Sequence, residues 1–344
     1  MKRLMLKMTI FVMGLGILLN GLGYLADRVA LMSVWYERAE QDYANLIQHR
    51  DTIQAISLGN SHSEAIDFAV LGVEGQTLAR AGADLFEVER YTAVVVDKLP
   101  ALHTVFITLS YYSFSRDNAT LDNMQILRIE LYTMLPIWRP ITEDGDNLVL
   151  GKLHGATRLM SVARPDHWHD IIYSETEFTT LLNDAPDFEV RAIETAPEPC
   201  SYLTPTELDS HAQEIAGKNV ASSRAMADKH QGLSKDAVAA LAATIERLQE
   251  RGVKVILYTP PYYEAYTTHF MAQGSDIVEQ LHQSVQGLQE KYKVDYYDFS
   301  MDPEIINRSE LFYNSDHLNA CGSKIFSAHL LEAISVEQQS RFNP

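Results

Sequence analysis

Short apolar runs alternate with amphipathic segments along much of the chain. Five runs predict buried strands: 54–59, 75–81, 103–109, 253–258 and 294–299. Apolar residues recur at helical spacing in four other segments: 84–98, 235–251, 276–292 and 320–335. Strands that alternate with helices of roughly 10–15 residues indicate parallel pairing with helices on both faces. The pattern therefore predicts a three-layer α/β/α fold around a central parallel sheet of about five strands.

The middle of the chain lacks this regularity. It contains Trp138 and Trp168, much of the proline and several short acidic runs. Long irregular segments in compact domains often serve as lids or binding loops. We therefore predict one domain over 51–335, with an insertion of helices and long loops at about 115–234 and a tail over 336–344.

The N-terminus has Lys2, Arg3 and Lys7 ahead of an almost uninterrupted apolar run to residue 26. A bilayer-spanning helix needs roughly 20 apolar residues, and basic residues ahead of it favour a cytoplasmic N-terminus. A cleaved signal peptide is the alternative, but the run is long for one and no small-x-small site follows it. We predict an uncleaved signal anchor over 1–26 that crosses the cell membrane once, then a stalk helix over 27–50, with the remaining chain extracytoplasmic.

The net charge of -18 at pH 7 limits the partners. So acidic a chain has little with which to neutralise phosphates, and we expect no nucleic acid partner. The two cysteines show no zinc-binding spacing, and we expect neither a metal nor another cofactor. Outside the cytoplasm Cys200 and Cys321 could form one disulfide. Otherwise they are two buried thiols, and the sequence does not decide between these alternatives.

Two segments at strand ends contain candidate reactive side chains. Ser61 follows the first predicted strand, and His317 lies between the last strand and the last helix. Parallel sheets bind ligands at such strand ends. A serine beside a helix N-terminus is placed for nucleophilic attack, and a histidine could take its proton. Each has a plain alternative, since Ser61 or Ser63 could merely cap the next helix and His317 could be structural. Together they predict a Ser–His pair.

The segments around these residues resemble sequence blocks of the SGNH, or GDSL-like, hydrolase family. That family has G-D-S or G-N-S after its first strand, and 58–62 is Leu-Gly-Asn-Ser-His. It has D-x-x-H before its last helix, and 314–317 is Asn-Ser-Asp-His. The segment 77–82 looks like a further block, whose glycine helps to form the oxyanion hole. The resemblance covers about 52–109 and 235–335.

The resemblance implies a flavodoxin-like SGNH fold with Ser61 as nucleophile and His317 as general base. It also implies that the N–H groups of Ser61 and Gly82 hold the oxyanion. The family has an aspartate three residues before the histidine, whereas this chain has Asn314 there and Asp316 beside the histidine. An asparagine oxygen can orient a histidine but stabilises the imidazolium less. Either Asp316 orients His317, or the site is a weak dyad.

A second departure follows the third strand. The family usually has G-x-N-D there, and its asparagine donates a hydrogen bond to the oxyanion. This chain has Ser-Tyr-Tyr-Ser at 110–113. Ser110 or Tyr112 would have to donate instead, because the loss of one oxyanion donor typically costs about 10²–10³ in kcat.

Tyrosines follow the third and fourth strands. Tyr111, Tyr262 and Tyr263 offer flat faces that suit stacking on sugar rings, with core packing as the alternative. The anchor and the resemblance lead us to expect an extracytoplasmic serine esterase or O-acyltransferase. Its substrate would be an acyl ester of cell-envelope carbohydrate, within envelope polysaccharide machinery. The alternative is a catalytically weak or inactive SGNH-fold protein that binds glycans or assembles envelope components.

Overall fold

The computed structural model describes residues 2–30, 42, 45–79, 82–118, 200, 203–230 and 234–342. The chain divides into two units, one containing the N-terminal helix and one containing the sheet. Most of the predicted stalk (27–50) and of the predicted insertion (115–234) lies outside the described residues.

Helix α1 (Lys2–Ala30) contains the predicted anchor. No proline interrupts the segment, and among the side chains described there Phe11 is 69% and Ile17 73% accessible. Within the described ranges, no helix combines the length and the apolar composition that a membrane crossing needs. The structure therefore gives the transmembrane helix no support, and it stays a prediction.

Five parallel strands form the sheet of the second unit. They are β1 (Ala55–Leu58), β2 (Gly75–Thr77), β3 (Thr104–Thr108), β4 (Lys254–Thr259) and β5 (Asp295–Asp298). Their spatial order is β2-β1-β3-β4-β5, which is the flavodoxin-like order. The three central strands are almost wholly buried, as expected of a parallel sheet covered on both faces. The predicted sheet is confirmed.

Helices cover this sheet. They are α2 (Phe68–Leu71), α3 (Leu85–Val95), α4 (Pro205–His230), α5 (Lys235–Glu250), α6 (Glu264–Tyr292) and α7 (Ala320–Phe342). Helix α3 packs against α5, and α4 packs against α6. Helix α7 places Phe326 and Leu330 on Phe106 and Tyr258 of the sheet, within the main apolar cluster of the unit.

Two predicted helix boundaries are wrong. Helix α6 begins at Glu264, well before the predicted start at 276, and it is kinked where Gly274 leaves helical geometry (φ -138°, ψ 28°). The predicted helix covers only the part of α6 after the kink. Helix α7 continues through most of the predicted tail to Phe342, because no glycine or proline follows Gly322 until the chain end.

Gly59 allows β1 to end close against β3. Its φ is +136°, a backbone conformation that residues with a side chain rarely adopt. A Cβ atom at this position would lie 3.2 Å from Thr108 Cβ and 3.3 Å from the Thr108 carbonyl oxygen. The glycine therefore sets the turn that follows β1, where Asn60 and Ser61 lie.

Cys200 and Cys321 form a disulfide, with their Cα atoms 5.4 Å apart. Of the two alternatives for these cysteines, the disulfide is the one found. It connects a residue shortly before α4 with the first turn of α7, and thus ties the end of the predicted insertion to the sheet domain.

Candidate active site

Ser61 begins the turn at the carboxyl end of β1. It is the first residue of a 3₁₀ helix, Ser61–Ala65. Asn60 caps this helix, because its side-chain oxygen accepts the N–H of His62 at 3.1 Å. The alternative that Ser61 serves as the cap is therefore wrong, and its hydroxyl bonds elsewhere.

The partner of Ser61 is His317. This histidine follows the turn of a short antiparallel hairpin, β6 (Phe312–Asn314) and β7 (His317–Leu318). Ser61 Oγ lies 2.7 Å from His317 Nε2, although the residues are 256 positions apart. Both side chains are partly exposed, so a substrate could reach them. The predicted contact between the two side chains is confirmed.

Both residues that could orient His317 contact its other ring nitrogen. Its Nδ1 lies 2.9 Å from Asn314 Oδ1 and 3.1 Å from Asp316 Oδ1. The Asn314 oxygen also accepts the N–H of Asp316 at 3.1 Å, which fixes the orientation of the amide. Because both oxygens only accept, Nδ1 carries the hydrogen and Nε2 has the lone pair that accepts the Ser61 hydroxyl. The structure thus combines the two residues that the sequence treated as alternatives.

The charges in this cluster support an ionised carboxylate beside the histidine. Burial raises the pKa of Asp316, but His317 and His62 outweigh burial and hold it well below its ordinary value. Burial lowers the pKa of His317, but the Asp316 carboxylate outweighs burial and raises it. A negative Asp316 would therefore stabilise the imidazolium that forms when His317 takes the serine proton.

The turn that carries Asp316 is held by two other elements. His211 of α4 lies with its Nδ1 2.8 Å from Ser315 Oγ. The Ser315 carbonyl accepts the N–H of Tyr263, at the start of α6, at 3.0 Å. His211 could not be found from the sequence, because it lies in the predicted insertion, where no local pattern indicates a contact with the last hairpin.

His62 is a second member of the site that the sequence analysis missed. It is buried, with Nδ1 2.6 Å from Ser110 Oγ and Nε2 3.4 Å from Asp316 Oδ2. Burial and the neighbouring His317 lower its pKa, so His62 is neutral near pH 7. Its position directly after Ser61 in the same strand-end turn was the available signal.

The predicted oxyanion donors are the backbone N–H groups of Ser61 and Gly82 and the hydroxyls of Ser110 and Tyr112. Among the described residues no partner is found for the N–H of Ser61 or of Gly82, and their role as oxyanion donors stays a prediction. Gly82 has a φ of +73°, which favours glycine. Ser110 Oγ accepts from Asn60 Nδ2 at 2.8 Å and contacts His62 Nδ1 at 2.6 Å, so its hydroxyl already has partners in the protein, and its role as an oxyanion donor stays a prediction. Tyr112 is buried, which raises its pKa to about 12, and it remains the hydroxyl candidate in this loop.

Two of the three tyrosines predicted to stack on sugar rings are part of the core. Tyr111 is 3% accessible and Tyr262 is 0% accessible, with their ring centroids 5.0 Å apart. Tyr262 also lies 5.1 Å from the ring of Tyr266, so these rings pack on one another. The alternative of core packing is therefore confirmed for both. Tyr263 is half-buried against Phe312, and its role as a ligand contact stays a prediction.

The donor atoms of His62, Asp316 and His317 lie within 4.8 Å of one another, a spacing that metal ligands also show. Here Asp316 accepts a hydrogen from each imidazole, at His62 Nε2 and His317 Nδ1. Through these contacts the three side chains form a hydrogen-bonded cluster that reaches Ser61.

Comparison of the chain with protein-family models and with curated proteins gave no match.

Proposed function

We propose that this protein is a serine esterase or O-acyltransferase of the SGNH type, which acts outside the cytoplasm on ester groups of cell-envelope carbohydrate. The observation that carries the proposal is the 2.7 Å contact between Ser61 Oγ and His317 Nε2. The carboxylate of Asp316 on the opposite ring nitrogen adds the third group of a triad. The SGNH assignment draws further support from the flavodoxin-like strand order and from motifs at two strand ends.

The first half of the reaction forms an acyl-enzyme. Ser61 Oγ attacks the ester carbonyl carbon while His317 Nε2 takes the hydroxyl proton. The tetrahedral intermediate collapses, the ester C–O bond breaks, and His317 returns the proton to the leaving alcohol. Asp316 holds the imidazolium between these two transfers.

The second half removes the acyl group from Ser61. Water or a sugar hydroxyl gives its proton to His317 and attacks the acyl carbonyl, and the Ser61 ester bond breaks as Oγ recovers the proton. Water as acceptor makes the protein an esterase, and a sugar hydroxyl makes it an O-acyltransferase. In both halves the N–H groups of Ser61 and Gly82 hold the oxyanion, with no amide side chain from the loop after β3.

Two features support the extracytoplasmic location. The N-terminal apolar run follows basic residues. The disulfide between Cys200 and Cys321 is typical of an oxidising compartment. We propose that α1 anchors the protein in the cell membrane.

A serine-directed fluorophosphonate probe tests the proposal. The full chain should be labelled near neutral pH, and Ser61→Ala should abolish the labelling. Ser63→Ala is the matched control, because the Ser63 hydroxyl donates to the Asn60 carbonyl at 2.7 Å and not to His317. Absence of labelling between about pH 6 and 9, or equal labelling of Ser61→Ala, would refute the esterase.

A second candidate is a weakly active or inactive protein that binds glycans. The occupied hydroxyl of Ser110 favours it, since this leaves the loop after β3 with fewer oxyanion donors. The burial of Tyr111 and Tyr262 counts against it, because those rings cannot reach a sugar. Glycan binding by a chain that the fluorophosphonate never labels would favour this candidate.

A further inference from the structure

His62 lies directly behind the reactive pair, in a position that no step of the proposed reaction uses. It is 3% accessible, and its ring centroid is 4.5 Å from that of His317. Both of its ring nitrogens face polar side chains, Ser110 on one side and Asp316 on the other. Buried polar groups are normally hydrogen-bonded, and these two contacts satisfy both nitrogens of the ring.

The hydrogen positions around His62 follow from the acceptors present. Asp316 is ionised and can only accept, so His62 Nε2 carries the hydrogen that points to it. His62 Nδ1 is then an acceptor, and the hydroxyl of Ser110 donates to it. The Ser110 oxygen in turn accepts from Asn60 Nδ2 at 2.8 Å. A single arrangement of hydrogens satisfies every contact from Asn60 to Asp316.

The carboxylate of Asp316 needs partners on both oxygens. Oδ1 accepts from His317, and Oδ2 faces His62, while the residue is only 6% accessible. A buried carboxylate oxygen without a donor is costly, so the group would rotate or take up a proton. Either change would weaken the contact with His317.

We propose that His62 is a positioning residue, which donates a hydrogen bond to Asp316 and so holds this carboxylate against His317. The inference rests on the proposed function for its effect on rate, but the geometric link between the two histidines does not depend on it. Held in this way, Asp316 would take the role that an aspartate three residues before the histidine has in the SGNH family.

Two variants of His62 separate positioning from packing. His62→Gln keeps an N–H group near the position of Nε2, whereas His62→Leu keeps bulk but has no donor. We expect His62→Leu to lower kcat for p-nitrophenyl acetate about tenfold, because the Asp316 carboxylate loses the donor that holds it against His317, with KM changed less than about twofold. His62→Gln should restore most of the rate.

The pKa of His317 provides a readout that is independent of activity. Asp316 raises this pKa, so a misplaced carboxylate should lower it. The rate requires neutral His317 and falls as the pH drops through its pKa, so the acid limb of kcat/KM should move to lower pH in His62→Leu but not in His62→Gln. Imidazole NMR titration of the full chain measures the same shift directly. Among the described residues, the charged or titratable groups that face the two rings are Asp316, Arg116, Glu64, the two imidazoles themselves, and Tyr112 and Tyr262, whose rings pack on His62.

The outcomes distinguish this inference from the proposed function. An unchanged His317 pKa and an unchanged kcat in folded His62→Leu would overturn the positioning role. Equal losses in His62→Leu and His62→Gln would also overturn it, because the donor would then be irrelevant. A third outcome separates the two proposals. If no fluorophosphonate labels the wild type, but the pKa of His317 falls in His62→Leu and not in His62→Gln, the esterase is refuted and the positioning of Asp316 by His62 is retained.

Discussion

Among individual residues, Asp316 and Asn314 share the Nδ1 hydrogen of His317, and only Asp316 is charged. We expect Asp316→Asn to lower kcat by about 10³-fold or more, because the loss of a triad aspartate has cost up to about 10⁴ elsewhere. Asn314→Ala should cost less than about tenfold, since the charge remains. Steady-state kinetics on an ester surrogate measure both, and the reverse ranking would make Asn314 the functional acceptor.

The same carboxylate sets the pH dependence of the site. Asp316 raises the pKa of His317, and activity requires His317 in its neutral form. In Asp316→Asn the acid limb of kcat/KM should therefore move to lower pH, although the maximal rate falls. A pH–rate profile of the residual activity checks the direction. A limb that stays in place would show that Asp316 does not control this titration.

At the scale of elements, the turn after β1 depends on Gly59. Gly59→Ala should destabilise the protein by about 1–3 kcal/mol, because the backbone conformation is strained for alanine and its Cβ meets Thr108. Gly287→Ala is the matched control, since nothing lies within 4 Å of a Cβ there. Within helix α6 that change should stabilise by about 0.5–1 kcal/mol. Urea unfolding measures both, and equal effects would contradict the strain at Gly59.

At the scale of the whole molecule, the apolar N-terminus and the disulfide together indicate where the protein is located. We expect the full chain to stay with membranes through an alkaline carbonate wash, and a chain lacking residues 2–30 to be released. In both, Cys200 and Cys321 should resist alkylation until a reductant is added. Release of the full chain by the wash would contradict the anchor, and immediate alkylation of both cysteines would contradict an oxidising compartment.

The sequence by itself determined the sheet and the reactive pair. Apolar runs such as 103–109 and 253–258 marked strands, because a strand buried on both faces must be apolar throughout. Ser61 and His317 could be identified because chemistry in parallel sheets gathers at strand ends, and each lies in a short motif. Local patterns were sufficient for the strands and the reactive pair, because residues close together in the sequence determine these features.

Only the tertiary structure decided how the side chains around that pair are used. His62 meets Asp316 across 254 positions, and this contact depends on the strand order and on the hairpin of the last loop. Other contacts between segments far apart in the sequence occupy the hydroxyl of Ser110 and bury Tyr111 and Tyr262. Periodicity records which face of an element is apolar, but it does not record which distant element covers that face, and so it could not assign these roles.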